Sequence, residues 1–208
     1  MRQLLYVPVI ALILMLAACS GPANTTANKE AEKPPEPVTG QSALWKMFQV
    51  ARTWDLQAEV LKMNSIPLSE VAAVPGKAPA WEATFSSTAK AKKRSWTFSA
   101  IEGEGNLHKG VFGGLEEAWS PQAGQSAAFP AIACKIDTDA ALTTARAKGV
   151  RAEEYEKKNP SQIISFVLEK VKKYPDPVWR VIWGESVSTS DYSVYVDAST
   201  GDYLETLH

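Results

Sequence analysis

Apart from Cys19, the chain carries one cysteine, Cys134, and two histidines, His108 and His208, and this short supply bounds the chemistry it can perform. Neither histidine stands at metal-ligand spacing from another histidine or from a cysteine, so no metal site and no cofactor is expected. The nearest thing to a nucleophile elbow, Gly184-Glu185-Ser186-Val187-Ser188, lacks the second glycine and reads as a polar hairpin turn. No phosphate-cradling glycine loop is present. The run "DASTGD" at residues 197–202 places oxygens at alternate positions, as a calcium loop does. Its glycine comes one place early and no bidentate glutamate follows in register, so a solvated turn with Gly201 at positive φ is the expectation. The basic run "KAKKR" at residues 90–94 reads as a solvated hairpin loop that discourages edge pairing; contact with anionic headgroups or an acidic partner is its functional alternative. No catalytic residue is assigned, no ligand-binding residue is singled out, and an enzyme is not expected.

The other cysteine has a different setting. Met1, Arg2 and Gln3 put positive charge at the N-terminus, an apolar run follows from Leu4 to Leu16, and the run stops at Leu16-Ala17-Ala18-Cys19. About a dozen apolar residues fall short of the roughly 20 that a spanning helix needs, which favours a secretory signal. The ending resembles the lipobox of bacterial lipoproteins. The resemblance implies cleavage between Ala18 and Cys19, a diacylglycerol on the Cys19 sulfur and a further acyl chain such as palmitate on the new amino terminus. Two or more chains, at about 0.8 kcal/mol per buried methylene, hold a protein on a bilayer where one is marginal. Ser20 after the cysteine resembles the outer-membrane sorting choice of Gram-negative envelopes, so a lipid-anchored place in the cell envelope is expected.

Residues 20–41 contain a single large aliphatic side chain, Val38, among Pro, Ala, Thr, Asn, Glu and Lys. Such a segment cannot bury enough surface to offset its chain entropy, and it is expected to be a disordered tether stiffened by Pro34, Pro35 and Pro37. Loss of Arg2 with the signal leaves 21 basic against 23 acidic residues. That balance gives no nucleic-acid footprint. The expected organisation is a signal peptide at 1–18, the lipidated cysteine and tether at 19–41, and two folded units at 42–120 and 121–208. Cys134 is then the only thiol of the mature chain, which leaves no intramolecular disulfide and makes it a small buried hydrophobe.

The folded part reads as one unit written twice. In "PVWRVIWGESVSTSDYSVYVDASTGDYLETL", Trp179, Val181 and Trp183 alternate with Arg180 and Ile182, and Tyr192, Val194 and Val196 alternate after a polar turn. "PAWEATFSSTAKAKKRSWTFSAIEGEGNLHKGV" follows the same order. Setting Gly105 against Gly201 places Trp96 on Tyr192, Phe98 on Val194 and Leu107 on Tyr203, with Trp81 meeting Trp179 after a two-residue adjustment. A helical pattern precedes each copy. "SALWKMFQVARTW" carries Leu44, Met47, Phe48, Ala51 and Trp54 on one face with Ser42 as cap. "DTDAALTTARAKG" has Asp137 or Thr138 to cap, Ala141, Leu142 and Ala145 as its stripe and Gly149 to stop it. "DLQAEVLKM" and "QIISFVLEKV" are readable as helix or strand, and β-branched content favours strand. The predicted fold is α+β: two related units, each a helix on a three-stranded antiparallel sheet. Trp45, Trp54, Trp81, Trp96 and Trp179 are assigned to the core rather than to a carbohydrate platform.

The helix "DTDAALTTARAKG", the strand "VWRVIW" and the ending "YSVYVDASTGDYL" together resemble the PepSY domains of secreted and membrane-attached bacterial proteins. The second copy is the clearer; "IEGEGNL" replaces the Asp-Ala-x-Thr-Gly turn in the first. The resemblance implies a non-catalytic role, binding a protein or peptide in the envelope, and inhibition or regulation of a peptidase in particular. A structural or envelope-assembly lipoprotein is the alternative, and a hydrolase has the least support. The partners expected are membrane lipid, through acylated Cys19, and an envelope peptidase or peptide.

Overall fold

The computed structural model describes residues 35–105, 107–122 and 127–208, which belong to a compact unit spanning Pro34–His208. In chain order these form β1 (Val38–Thr39), α1 (Gly40–Trp54), β2 (Glu59–Ile66), β3 (Lys77–Ala78), β4 (Ala80–Ser87), β5 (Lys92–Ser99) and β6 (Gly110–Ala118). A 3-10 turn at Ala131–Ala133 leads to α2 (Thr138–Lys148), α3 (Ala152–Lys158), β7 (Ile164–Glu169), β8 (Val178–Trp183), β9 (Ser193–Asp197) and β10 (Tyr203–Leu207). The α+β class is as expected. The sheet is not two three-stranded pieces but one antiparallel sheet of eight strands, in the order β10-β9-β8-β7-β2-β4-β5-β6. Both ambiguous segments are strands, β2 and β7, and they pair with each other at the centre. Counting them adds a fourth strand to each half and removes what would have been two exposed inner edges.

Helices α1 and α2 lie on one face of this sheet. Phe48 of α1 stacks on Phe85 at 6.0 Å, and Trp54 lies 5.4 Å from Trp96. Gly149, at the end of α2, sits against Val194 and the Tyr192 hydroxyl. Trp81 and Trp179, from opposite halves, meet edge to face at 6.4 Å, and Trp81 also contacts Phe166, so the two halves share one continuous core. Trp81, Trp96, Trp179 and Trp183 are fully buried. Trp45 departs from expectation, being 36% exposed on the outer side of α1. Its helical phase puts it beside Leu44 in sequence but off the Leu44–Met47–Ala51 stripe.

Hydrogen bonds recur at a fixed interval of 98 residues (179 − 81). The Trp81 indole donates to the Val38 carbonyl at 3.1 Å, and the Trp179 indole donates to the Ile136 carbonyl at 2.8 Å. The Ala100 amide donates to the Pro79 carbonyl and the Ala198 amide to the Pro177 carbonyl, each at 2.9 Å. Trp81 pairs with Phe98 and Trp179 with Val196. Phe98 therefore corresponds to Val196, and Trp96 to Val194, two residues away from the register set by Gly105 and Gly201. At that interval it is Gly103, not Gly105, that falls on Gly201, and the loop between β5 and β6 is the longer one. A slip of two preserves every inward and outward assignment along the strands.

The centre of the molecule is where the two helices begin. The Asp137 carboxylate oxygen Oδ1 accepts from the Thr138 amide at 2.7 Å, capping α2, and from the Gln41 amide of α1 at 2.9 Å. The Thr138 hydroxyl accepts from the Gly40 amide at 2.9 Å and donates to the Gly76 carbonyl. One residue pair thus supplies acceptors for three amides at the two helix starts, those of Gly40, Gln41 and Thr138. Ser42 is not the cap of α1, because the helix begins two residues before it and borrows its acceptors from the other half. The same contacts move the tether boundary. Val38 and Thr39 pair with Ala78 and Lys77, so order begins before residue 41. Gly76 has φ +74, and a Cβ there would lie 2.5 Å from the Asp139 Cα, so only glycine lets this strand reach the α2 start.

Candidate binding face

The sheet face away from the helices is set by the alternate residues of each strand. Lys62 and Asn64 of β2, Thr84 of β4, Ser165 and Val167 of β7, and Arg180 and Ile182 of β8 point there, opposite to the core positions Met63, Ala83, Phe166 and Val181. No helix covers this face among the described residues. Two hollows lie on it. The larger, about 600 Å³, is lined by Leu61, Lys62, Thr84 and Lys93, with Trp119 and Ser120 beyond β6. The smaller, about 360 Å³, is lined by Lys62, Ser165, Val167 and Ile182, with Glu185 and Val187 of the turn after β8. Lys62 belongs to both.

The two outer strands, β6 and β10, offer less than their exposed position suggests. Arg94 and Trp96 of β5 pair with Glu116 and Gly113, so β6 carries an extra residue and bulges in its middle. The register of β10 also shifts, between Tyr203 and Glu205. Bulges twist an edge away from a flat docking geometry, and Glu116 and Glu117 add charge to the first of them. Leu115, at the β6 bulge, is 88% exposed.

The residues singled out from sequence are scattered. Ala18 and Cys19 lie outside the described residues. Cys134 is buried, with its thiol directed to the Ile136 carbonyl at 3.6 Å, and burial, then the charge of Asp137, pushes its pKa up to about 12. In the folded protein Cys134 is expected to resist alkylation at pH 8 and to react fully once the chain is unfolded in urea, as read by mass spectrometry of its peptide. The exposed His108 ring meets the Glu102 carboxylate at 2.5 Å and the edge of Phe112, and His208 packs on Tyr192. The Glu102 carboxyl is held below its usual pKa by the Lys109 amide and by His108. These histidines stand in separate places, and no group of metal-ligating side chains gathers among the described residues.

The turn at 197–202 is closed by its own groups. Asp197 accepts from the Ser199 amide and hydroxyl and from the Thr200 amide, and Gly201 has φ +85. Burial raises the Asp197 pKa, but these bonds outweigh it and hold the carboxyl below its usual value. Residues 184–188 form the expected polar turn. The basic run is a loop only at its start: Lys90 and Ala91 lie in the turn at 88–91, while Lys92, Lys93 and Arg94 belong to β5, an interior strand paired on both sides. Edge protection is therefore not their role. Lys93 pairs with Glu117 at 3.1 Å, and the Arg94 guanidinium lies over Trp96 and donates to the Gly114 carbonyl.

The hollows are not marked by any local sequence pattern. Their signal is the polar member of each alternating strand, Lys62 and Asn64, then Thr84, then Ser165, but only the strand order reveals that these lie side by side. No family model matches the chain, and neither a curated protein nor a solved structure matches it.

Proposed function

We propose that this chain is a bacterial lipoprotein, anchored in the envelope through acylated Cys19, whose two PepSY-like halves bind a protein or peptide without catalysis, with peptidase inhibition or regulation as the biological use. The observation that carries the binding role is the helix-free sheet face with its paired hollows. The repeated indole and proline-carbonyl hydrogen bonds, 98 residues apart, support the reading of two related units. The bulged outer strands make strand addition the less favourable route and turn attention to the face.

Two measurements test this. The membrane-extracted protein should lack its first 18 residues and carry the added mass of its acyl chains, and Cys19→Ser should abolish both changes. A Cys19→Ser protein that is still cleaved and retained on the membrane would overturn the anchor. Pull-down of the wild-type chain from solubilised envelope should return one stoichiometric peptidase or peptide. Recovery of none would instead assign the chain a structural role in the envelope.

A further inference from the structure

We propose that the two hollows form one trough, crossing the strands at Lys62, that receives an extended peptide bearing a carboxylate near its middle. This rests on the peptide-binding reading above and gives it a place and a chemistry. The trough runs from Lys93 on β5 across β4, β2 and β7 to Ile182 on β8. Four strand intervals of about 4.8 Å make a path of roughly 19 Å, the length of about six extended residues. Each hollow is of the size that holds a small ligand or a few residues.

The lining sets the charge. The larger hollow contains Lys62 and Lys93 and no acid, and the smaller contains one acid, Glu185, at its far end. Lys93 is engaged by Glu117. Lys62 makes no side-chain hydrogen bond or ion pair among the described residues, although Glu169 is its cross-strand neighbour on β7. With no partner for the Lys62 ammonium among the described residues, the junction favours an anionic group over a basic one. Apolar side chains lie to either side, with part-exposed Trp119 over buried Leu61 at one end and exposed Val187 over buried Val167 and Ile182 at the other. Polar capacity is also left over. Ser165 is only 3% exposed, lines the smaller hollow, and its hydroxyl has no partner among the described residues. An unpartnered buried hydroxyl is a cost that a peptide carbonyl or amide removes. Apolar side chains flanking a cation, with the Ser165 hydroxyl alongside, suit a peptide of apolar–acidic–apolar pattern better than a simple anion.

The test is a degenerate hexapeptide pool incubated with the immobilised full chain, with retained peptides read by mass spectrometry. Peptides with a central Asp or Glu should be enriched about tenfold or more over their Asn or Gln counterparts, as one charge-assisted contact predicts. Lys62→Glu should abolish that enrichment, Lys62→Arg should keep it, and Lys148→Glu, at the end of α2 on the opposite face, should leave it unchanged. Enrichment that survives in Lys62→Glu would overturn the trough while leaving peptide binding intact. Enrichment of basic peptides would overturn its charge preference. Retention of no peptide by the wild-type chain would overturn the trough and the peptide-binding reading together. Unchanged circular dichroism and thermal midpoint in the Lys62 variants separate loss of binding from loss of fold.

Discussion

Trp179→Ala is expected to cost about 3–5 kcal/mol of folding stability, the range for emptying a fully buried aromatic site. The indole is wholly buried, touches Trp81 from the other half, and donates to the Ile136 carbonyl just ahead of α2. Its removal leaves a cavity at the junction of the two halves and strips the Ile136 carbonyl of a donor, so transfer, cavity and hydrogen-bond losses act together. Trp81→Ala should cost a similar amount, for the same reasons around Val38. Because the rings touch, the double variant should lose less than the two single losses combined. Urea unfolding of the three variants measures this. A loss below about 1 kcal/mol in either single variant would show that the halves do not depend on this contact.

The second large effect belongs to Asp137. A cap residue replaced by alanine ordinarily costs about 0.5–2 kcal/mol. Asp137 serves two helix starts with one oxygen, so Asp137→Ala is expected to cost about 2–3 kcal/mol, while Asp137→Asn, which keeps an acceptor but not the charge, should recover more than half of that. The Gln41 amide provides the discriminating observable. Its hydrogen exchange should accelerate in Asp137→Ala although it lies 96 residues away in sequence. If only the Thr138 end of α2 loosens, the shared cap is refuted.

Much of the scaffold was legible because its signals are local. Asp137, the Ala141–Leu142–Ala145 stripe and Gly149 mark α2 from cap to stop, and the helix runs Thr138–Lys148 between them. The aromatic and β-branched alternation of β8 and β9 is equally plain. Other features needed partners that no local pattern shows. The α3 sequence AEEYEKK has no apolar stripe; Tyr155 stacks on Tyr192 at 4.5 Å, and Glu156 accepts from the Trp183 indole at 2.9 Å. The two-residue strands β1 and β3 are set by their mutual pairing. Lys92 and Lys93 look like loop residues until β6 is seen to pair outside them. The trough was illegible for a similar reason: its members are outward positions on five strands, adjacent only once the strand order is known.

The pairing of β2 with β7 has a consequence for how such a chain could arise. Trp81 pairs with Ser65 and Trp179 with Leu168, so Ser65 and Leu168 are equivalents, and Asn64 and Val167 are too; yet Asn64 also faces Val167 across the seam. A position that pairs with its own counterpart marks an approximate two-fold axis normal to the sheet. A chain made of one half alone would leave a strand able to close only against the same strand of a second molecule. Linking two such halves in one chain would replace a concentration-dependent pairing with an intramolecular one that holds at any dilution, and would let the halves differ, as they do where Lys62 in one stands at the place of Ser165 in the other.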